Sequence, residues 1–341
     1  MIKTKPYTLL LLSVMICLLH ACSSPSPSQQ TAESHPALTQ TPALKAITEK
    51  LAKSPENARL YYERGVLLQQ LKQDSLALMD FGNAVKYDST KAEYYSAVGD
   101  LLFEHKDLDG SLKWIKKAIE LNPDDMKAHL KIAKMFVYLE DYPNAFREIN
   151  KVLRENAMTP EAYFLKGMIY KNIADSSNKA LSSFLTAVQI MPDYHDALLQ
   201  IGMIYDKRND SAALLYYQNA FHADTTDVSP LYAKGMYYQT RNLIEEAKQV
   251  YQQCIVHQPD YADAYFNWGY LLLQQDSFSK AVLQFGNVIK IAPDNAKAYY
   301  NRGLCKELMN NNIEAIADYT SALNINKDYK EAKEGLKRLG K

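Results

Sequence analysis

The chain has 341 residues, 47% hydrophobic and 23% charged, an ordinary globular composition that excludes a disordered tail protein and a collagen-like fibre. Its 39 Lys plus Arg balance 39 Asp plus Glu, and without Lys3 and Lys5 of the leader 37 basic residues face 39 acidic ones, a net −2. The basic excess that drives phosphate neutralisation is missing, so no nucleic-acid partner is expected.

Residues 1–21 read as a lipoprotein signal peptide. Lys3 and Lys5 precede an apolar run from Tyr7 to Leu19, broken only by Thr8 and Ser13, which is too short to span a bilayer and fits a secretory leader. Leu19-His20-Ala21-Cys22 resembles a bacterial lipobox, with a branched residue at −3 and a small one at −1 before the Cys that receives diacylglycerol. His20 departs from that pattern, in which −2 is usually small. Cys17 is no rival, because Ile16 is too bulky for −1. The expectation is lipidation at Cys22; the alternative is a plain cleaved signal peptide with a chance Cys. Residues 22–41 then form the lipidated Cys and a flexible Ser/Pro-rich tether, about 60 Å when stretched and about 25 Å as a coil. By resemblance to lipoprotein sorting in enteric bacteria, Ser23 and the lack of an acidic cluster after Cys22 imply an outer-membrane lipoprotein of the cell envelope, facing the periplasm.

Residues 42–57 are predicted as an N-terminal capping helix, with Ala43 to Lys53 closed by Pro55. Beyond it the chain repeats. Gly65, Gly99, Gly167, Gly202, Gly235, Gly269 and Gly303 are spaced by 34, 68, 35, 33, 34 and 34 residues, and Ala133 stands in the middle of the 68. About twelve residues after each comes a small residue and, four further on, a bulky one, as in Ala77/Phe81, Ala180/Phe184 and Ala281/Phe285. Fixed self-similarity of this period is the mark of a repeat architecture. The units are 58–91, 92–125, 126–159, 160–194, 195–227, 228–261, 262–295 and 296–329, followed by a charged C-terminal solvating helix over 330–341.

These signatures resemble the tetratricopeptide repeat, whose 34-residue unit has a bulky or aromatic residue at position 4, Gly or Ala at 8, an aromatic at 11, Ala at 20, an aromatic at 24, Ala at 27 and Pro at 32. The resemblance covers residues 58–329. It departs locally at His129, at Lys306 and in the four repeats without the terminal Pro. The implied fold is all-α, a right-handed superhelical solenoid of about eight helix-turn-helix repeats. Each unit pairs a helix A with a helix B, and their apolar stripes are hidden only by stacking neighbours. Small residues at 8 and 20 allow close approach, and Pro123, Pro192, Pro259 and Pro293 end helix B.

No catalytic constellation is legible. His105, His129, His195, His222 and His257 are scattered over different repeats, outside any HExxH pattern, and the repeat glycines form no phosphate loop. Cys254 occupies a small-residue packing position and Cys305 lies in another repeat, so no disulfide is expected between them. The reading is therefore a non-enzyme with no metal, no cofactor and no small-molecule substrate.

In the family, helix A lines the concave groove, and its positions 2, 5, 9, 12 and 13 most often meet ligands. Positions 5 and 9 give a partner-binding strip of Tyr62, Phe164, Met168, Leu199, Met203, Tyr232, Met236, Phe266, Tyr270, Tyr300 and Leu304. Repeats two and three instead offer Ser96, Asp100, Lys127 and Lys134. Such an aromatic and methionine strip suits an extended segment or an amphipathic helix; the alternative is that some of these side chains merely pack between helices. The Lys and Asn pair with which chaperone-binding relatives clamp a C-terminal carboxylate is absent. The chain resembles tetratricopeptide outer-membrane lipoproteins that assist pilus secretin assembly or dock peptidoglycan hydrolases. The expected function is a protein–protein interaction scaffold or adaptor anchored in the bacterial cell envelope, with envelope proteins as partners and the membrane reached through the lipid. The alternative is a permanent structural subunit of a secretion, pilus or gliding apparatus.

Overall fold

The computed structural model describes residues 35–341; the leader, Cys22 and the tether to residue 34 lie outside the described residues. All regular structure among the described residues is helical. A capping helix α1 (Pro42–Lys53) precedes α2 (Ala58–Gln70), α3 (Asp74–Tyr87), α4 (Ala92–Glu104) and α5 (Leu108–Leu121). Then follow α6 (Met126–Tyr138), α7 (Tyr142–Glu155), α8 (Pro160–Asn172), α9 (Ser177–Ile190), α10 (His195–Lys207) and α11 (Ala212–Ala223). The chain closes with α12 (Ser229–Thr240), α13 (Ile244–His257), α14 (Ala262–Gln274), α15 (Phe278–Ile291), α16 (Ala296–Leu308), α17 (Asn312–Ile325) and α18 (Lys330–Arg338). The result is an all-α solenoid of helix-turn-helix units in which even-numbered α2 to α16 are A helices and their successors B helices. The chain divides into two compact units, one ending at Pro123 and one from Asp124 to Lys341. No helix among the described residues is long and apolar enough to cross a membrane.

Each repeat folds for local reasons. Side chains at the start of A helices accept hydrogen bonds from otherwise orphaned N–H groups, as Asn57 does from Leu60, Asp125 from Ala128 and Asn295 from Ala298. Every A-to-B turn places one non-glycine residue in the left-handed region: Lys72, Lys106, Glu140, Asp175, Asn209, Asn242, Asp276 and Asn310, with φ from 54° to 64°. In most turns the next N–H reaches back to the carbonyl that closes helix A, as Gln73 does to Leu68 and Asp107 to Leu102, both at 2.9 Å. Five of the eight are Asn or Asp, which tolerate that conformation best.

Packing within a repeat centres on position 24, where Phe81, Phe184, Tyr217, Tyr251, Phe285 and Tyr319 are buried. Their rings lie against the position-8 glycines so closely that a Cβ built on Gly235 would stand 2.5 Å from Tyr251 Cε1. A Cβ on Gly269 would have 3.1 Å to Phe285, so this repeat is the looser one. Positions 7 and 23 form a second cross-helix pair. Arg64 Nε and Nη2 donate to Asp80 at 2.7 and 2.8 Å in the first repeat, and Arg302 repeats the fork on Asp318 at 2.9 and 2.6 Å in the last.

The first described residues differ from the expectation of a tether running unstructured to Thr41. Pro36–Thr39 is a 3-10 turn whose Leu38, 2% exposed, packs with Leu44 and Leu68, while the Ala37 N–H donates to His35 Nδ1 at 3.2 Å. The physical reason is a single side chain: Leu38 covers apolar surface that the first helix pair cannot hide alone. At the other end, α18 lays Ala332 and Gly335 against Tyr319, and Arg338 donates to both Glu307 oxygens at 2.8 Å.

Candidate functional site: the A-helix face

Positions 5 and 9 lie about one turn apart on each A helix and so share a face. The structure gives them different roles. In the first unit Tyr62 is half-buried, with ring centroids 5.9 Å from Phe81 and 5.1 Å from Tyr94. In the second unit Phe164 lies 5.6 Å from Phe184 and 5.2 Å from Tyr194. Tyr232 touches Tyr251 and Tyr261 at 6.0 and 5.5 Å, Tyr300 touches Tyr319 and Tyr329 at 5.7 and 5.3 Å, and Phe266 meets Phe285 at 5.6 Å. These tilted or edge-on geometries are those that aromatic pairs favour. Position-5 rings are therefore wedges, each braced on its own B helix and, except for Phe266, also on a ring at the junction with the next repeat. Leu199 is packed similarly, against the Ala213, Tyr217 and Tyr237 cluster.

Position 9 is the outward layer. Met203 and Tyr270 are 44% and 39% exposed, and Met168, Met236 and Leu304 are half-buried. Asn267 ties the two layers together, donating to Tyr232 Oη at 3.0 Å, Met236 Sδ at 3.1 Å and Tyr251 Oη at 3.4 Å. Desolvation raises the phenols of Tyr232 and Tyr300 above their ordinary value, so they remain neutral hydrogen-bonding groups.

Two recesses open beside these residues. In the first unit one of about 400 Å³ is lined by Ile47, Arg59, Tyr62, Glu63, Val66 and Leu67. In the second unit Phe164 and Met168 share one of about 310 Å³ with Leu165, Asn172, Lys134, Val137, Tyr138 and Glu140. Tyr138 is 62% exposed. Val137 and Tyr138 stand at positions 12 and 13 of the third repeat, which a reading of positions 5 and 9 alone passes over although the family pattern includes them. Ser96 sits where five other repeats carry a ring, and its buried hydroxyl oxygen has no hydrogen-bond partner.

The remaining reactive side chains are absorbed by structure. His129 Nδ1 meets Glu148 at 2.7 Å and its Nε2 meets Lys151 at 2.8 Å; His195 lies between the Ala220 carbonyl and Asp227. Burial pushes the Cys254 and Cys305 thiols up to about 12, leaving both as inert packing groups. Among the described residues no group of three or more His, Cys, Asp or Glu side chains could hold a metal ion.

Family profiles described as tetratricopeptide repeat match residues 92–125, 232–296 and 296–329. Human protein O-mannosyl-transferase TMTC3 is 24% identical over 253 residues, covering 74% of this chain and 22% of that relative. Human tetratricopeptide repeat protein 16 is 23% identical over 323 residues, covering 83% of this chain and 36% of the relative. The chain thus spans about a fifth to a third of the length of these curated relatives. Among solved structures, a tetratricopeptide repeat protein from Parabacteroides merdae superposes with a TM-score of 0.48 at 16% identity, covering 73% of this chain and 99% of that one.

Proposed function

We propose that this chain, a tetratricopeptide-repeat protein, is a non-catalytic adaptor that takes a partner peptide or amphipathic helix on its A-helix face while an acylated Cys22 moors it in a bacterial cell envelope. The observation that carries the binding half is the outward layer of position 9: Met203 and Tyr270 present apolar side chains to solvent next to the braced position-5 residues Leu199 and Phe266. Side chains that adapt their shape over a rigid floor suit recognition of an extended or helical guest. The recess beside Phe164, Met168 and Tyr138 is a place for an apolar anchor of that guest. The mooring half rests on the lipobox-like Leu19-His20-Ala21-Cys22, and an outer-membrane, periplasm-facing position is part of the same proposal.

Tyr270→Ala and Tyr138→Ala are the sharper tests of the binding face, because Tyr232 and Phe266 also brace the fold. Each is expected to weaken capture of the partner by about 2 kcal/mol if it is a hot spot, with helicity intact by circular dichroism. Full affinity in both variants refutes the face. Mass spectrometry of the mature N-terminus tests the mooring: a diacylglyceryl-modified Cys22, lost in Cys22→Ser, is expected, and an unmodified mature Cys22 refutes it.

A further inference from the structure

The last five B helices of the second unit carry an anomaly on the side away from their A partners. In α9, α11, α13, α15 and α17, positions 22, 25, 26 and 29 make twenty outer sites, and Lys290 is the one Asp, Glu, Lys or Arg among them. The other charges of these helices fall within the first five residues, apart from Asp318, which is buried against Arg302. The same sites in α5 and α7 hold seven charges in eight residues, among them Lys113, Lys117, Arg147 and Arg154. A solvent-facing helix surface is ordinarily a quarter or more charged, so one charge in twenty sites is a depletion; α3, with Met79, Gly82, Asn83 and Lys86, is similarly sparse, but α5 and α7 part it in the chain from the uninterrupted run of five.

What replaces the charges is informative. Val256, Leu283 and Leu215 are 77%, 64% and 61% exposed, and amides such as Asn219, Gln252 and Gln253 surround them. Gln249, Gln252, Gln253, Val256 and His257 line a depression of about 370 Å³ on this face. Loss of charge around exposed aliphatic side chains is the composition of an interface core, not of open surface.

We propose that this outer B-helix face is the contact between two copies of the chain. A charged partner would lose hydration against it without gaining an ion pair, whereas a second copy presents an equally uncharged surface. Asn and Gln side chains each offer donors and an acceptor, so a face rich in them is hydrogen-bond complementary to itself across a two-fold axis. Twenty residues a side also match what a stable interface of about 800 Å² per partner uses. The Val256 and Leu283 side chains of one copy fill the amide-lined depression of the other. The proposal is independent of the A-helix face, which stays available to a guest.

Sedimentation of the full-length chain over a concentration series tests it. A reversible dimer is expected, weakened by about tenfold or more in Val256→Glu/Leu283→Glu, where like charges would be brought together. Gln249→Glu/Gln253→Glu, at fully polar and exposed sites, is expected to act in the same direction and guards against a folding defect in the first variant. Met79→Glu, at position 22 of the first repeat, and Tyr270→Ala are expected to leave the dimer intact. A chain that stays monomeric up to about 100 µM overturns the proposal, as does a dimer unaffected by both charge variants. A photo-crosslinker at position 253 that traps a different protein on a monomeric chain assigns the face to that partner and equally overturns it.

Discussion

Gly235→Ala is the most demanding test of the packing. The new Cβ would stand 2.5 Å from Tyr251 Cε1 and 2.8 Å from Cδ1, where ordinary contact begins at 3.4 Å, so the ring must retreat by about 0.9 Å. Tyr251 is fully buried, and its hydroxyl donates to Gln239 Oε1 at 2.6 Å, so retreat strains or breaks that bond. Overpacking costs about 1 to 3 kcal/mol and the hydrogen bond about 1 kcal/mol, against a gain of about 1 kcal/mol from replacing glycine inside a helix. The net expectation is a loss of about 1 to 3 kcal/mol. Gly286→Ala is the internal control: its Cβ would meet nothing nearer than Arg302 Nη1 at 3.9 Å, so only the propensity gain of about 0.5 to 1 kcal/mol remains. Urea unfolding followed by circular dichroism compares the two within one unit. Ala133 over Ile149 in the third repeat shows how the chain itself accommodates alanine at position 8, so Tyr251→Ile should recover part of the loss in the Gly235→Ala background. Equal stability of Gly235→Ala and Gly286→Ala refutes the close-approach argument.

Asp80→Leu strands the buried Arg64 guanidinium and should cost about 3 to 5 kcal/mol, whereas Arg64→Met/Asp80→Leu should recover most of it by thermal melting. At the C-terminal end, the Arg338 guanidinium, with the Tyr319 hydroxyl, holds the Glu307 carboxyl below the ordinary glutamate range. Because the folded pKa is depressed, this contribution is fully present above the unfolded value of about 4.3 and is lost as pH falls through the folded one. Hydrogen-exchange protection in α18, taken relative to the unfolded chain at each pH, should fall across that acid window, and Glu307→Gln should flatten the dependence. Lys106, at φ 64°, occupies a left-handed turn without the local help Asn or Asp gives, so Lys106→Gly should raise stability by about 0.5 to 1 kcal/mol in the same unfolding assay.

The helical repeat was legible because glycine spacing, apolar stripes and Ala positions all carry the same period, and each acts through neighbours close in sequence. The left-handed turns were less so: Asn209, Asn242 and Asn310 hint at them, but Lys72 and Glu140 carry no local signal and are held there by the flanking helices. The Arg64–Asp80 fork is written in the chain sixteen residues apart, yet only the register of two helices turns that spacing into a contact. For the candidate site the ambiguity was chemical. An aromatic residue at position 5 looks the same whether it awaits a guest or props up a neighbour, and Phe164, Tyr232 and Tyr300 brace neighbours. Leu38 was missed for the opposite reason, since one apolar residue in a polar segment has no period to betray it.

For a guest held on the proposed A-helix face, those same braced rings would make recognition and elasticity inseparable. Phe164 and Tyr300 each touch a ring of their own repeat and one at the next junction, and Tyr232 does so while holding Asn267. A guest pressing on them adds a third body to a two-body hinge, so occupancy would stiffen the bend between successive repeats, and tension on the bend would alter the guest's grip. A protein built this way would register mechanical load through how firmly it holds a guest.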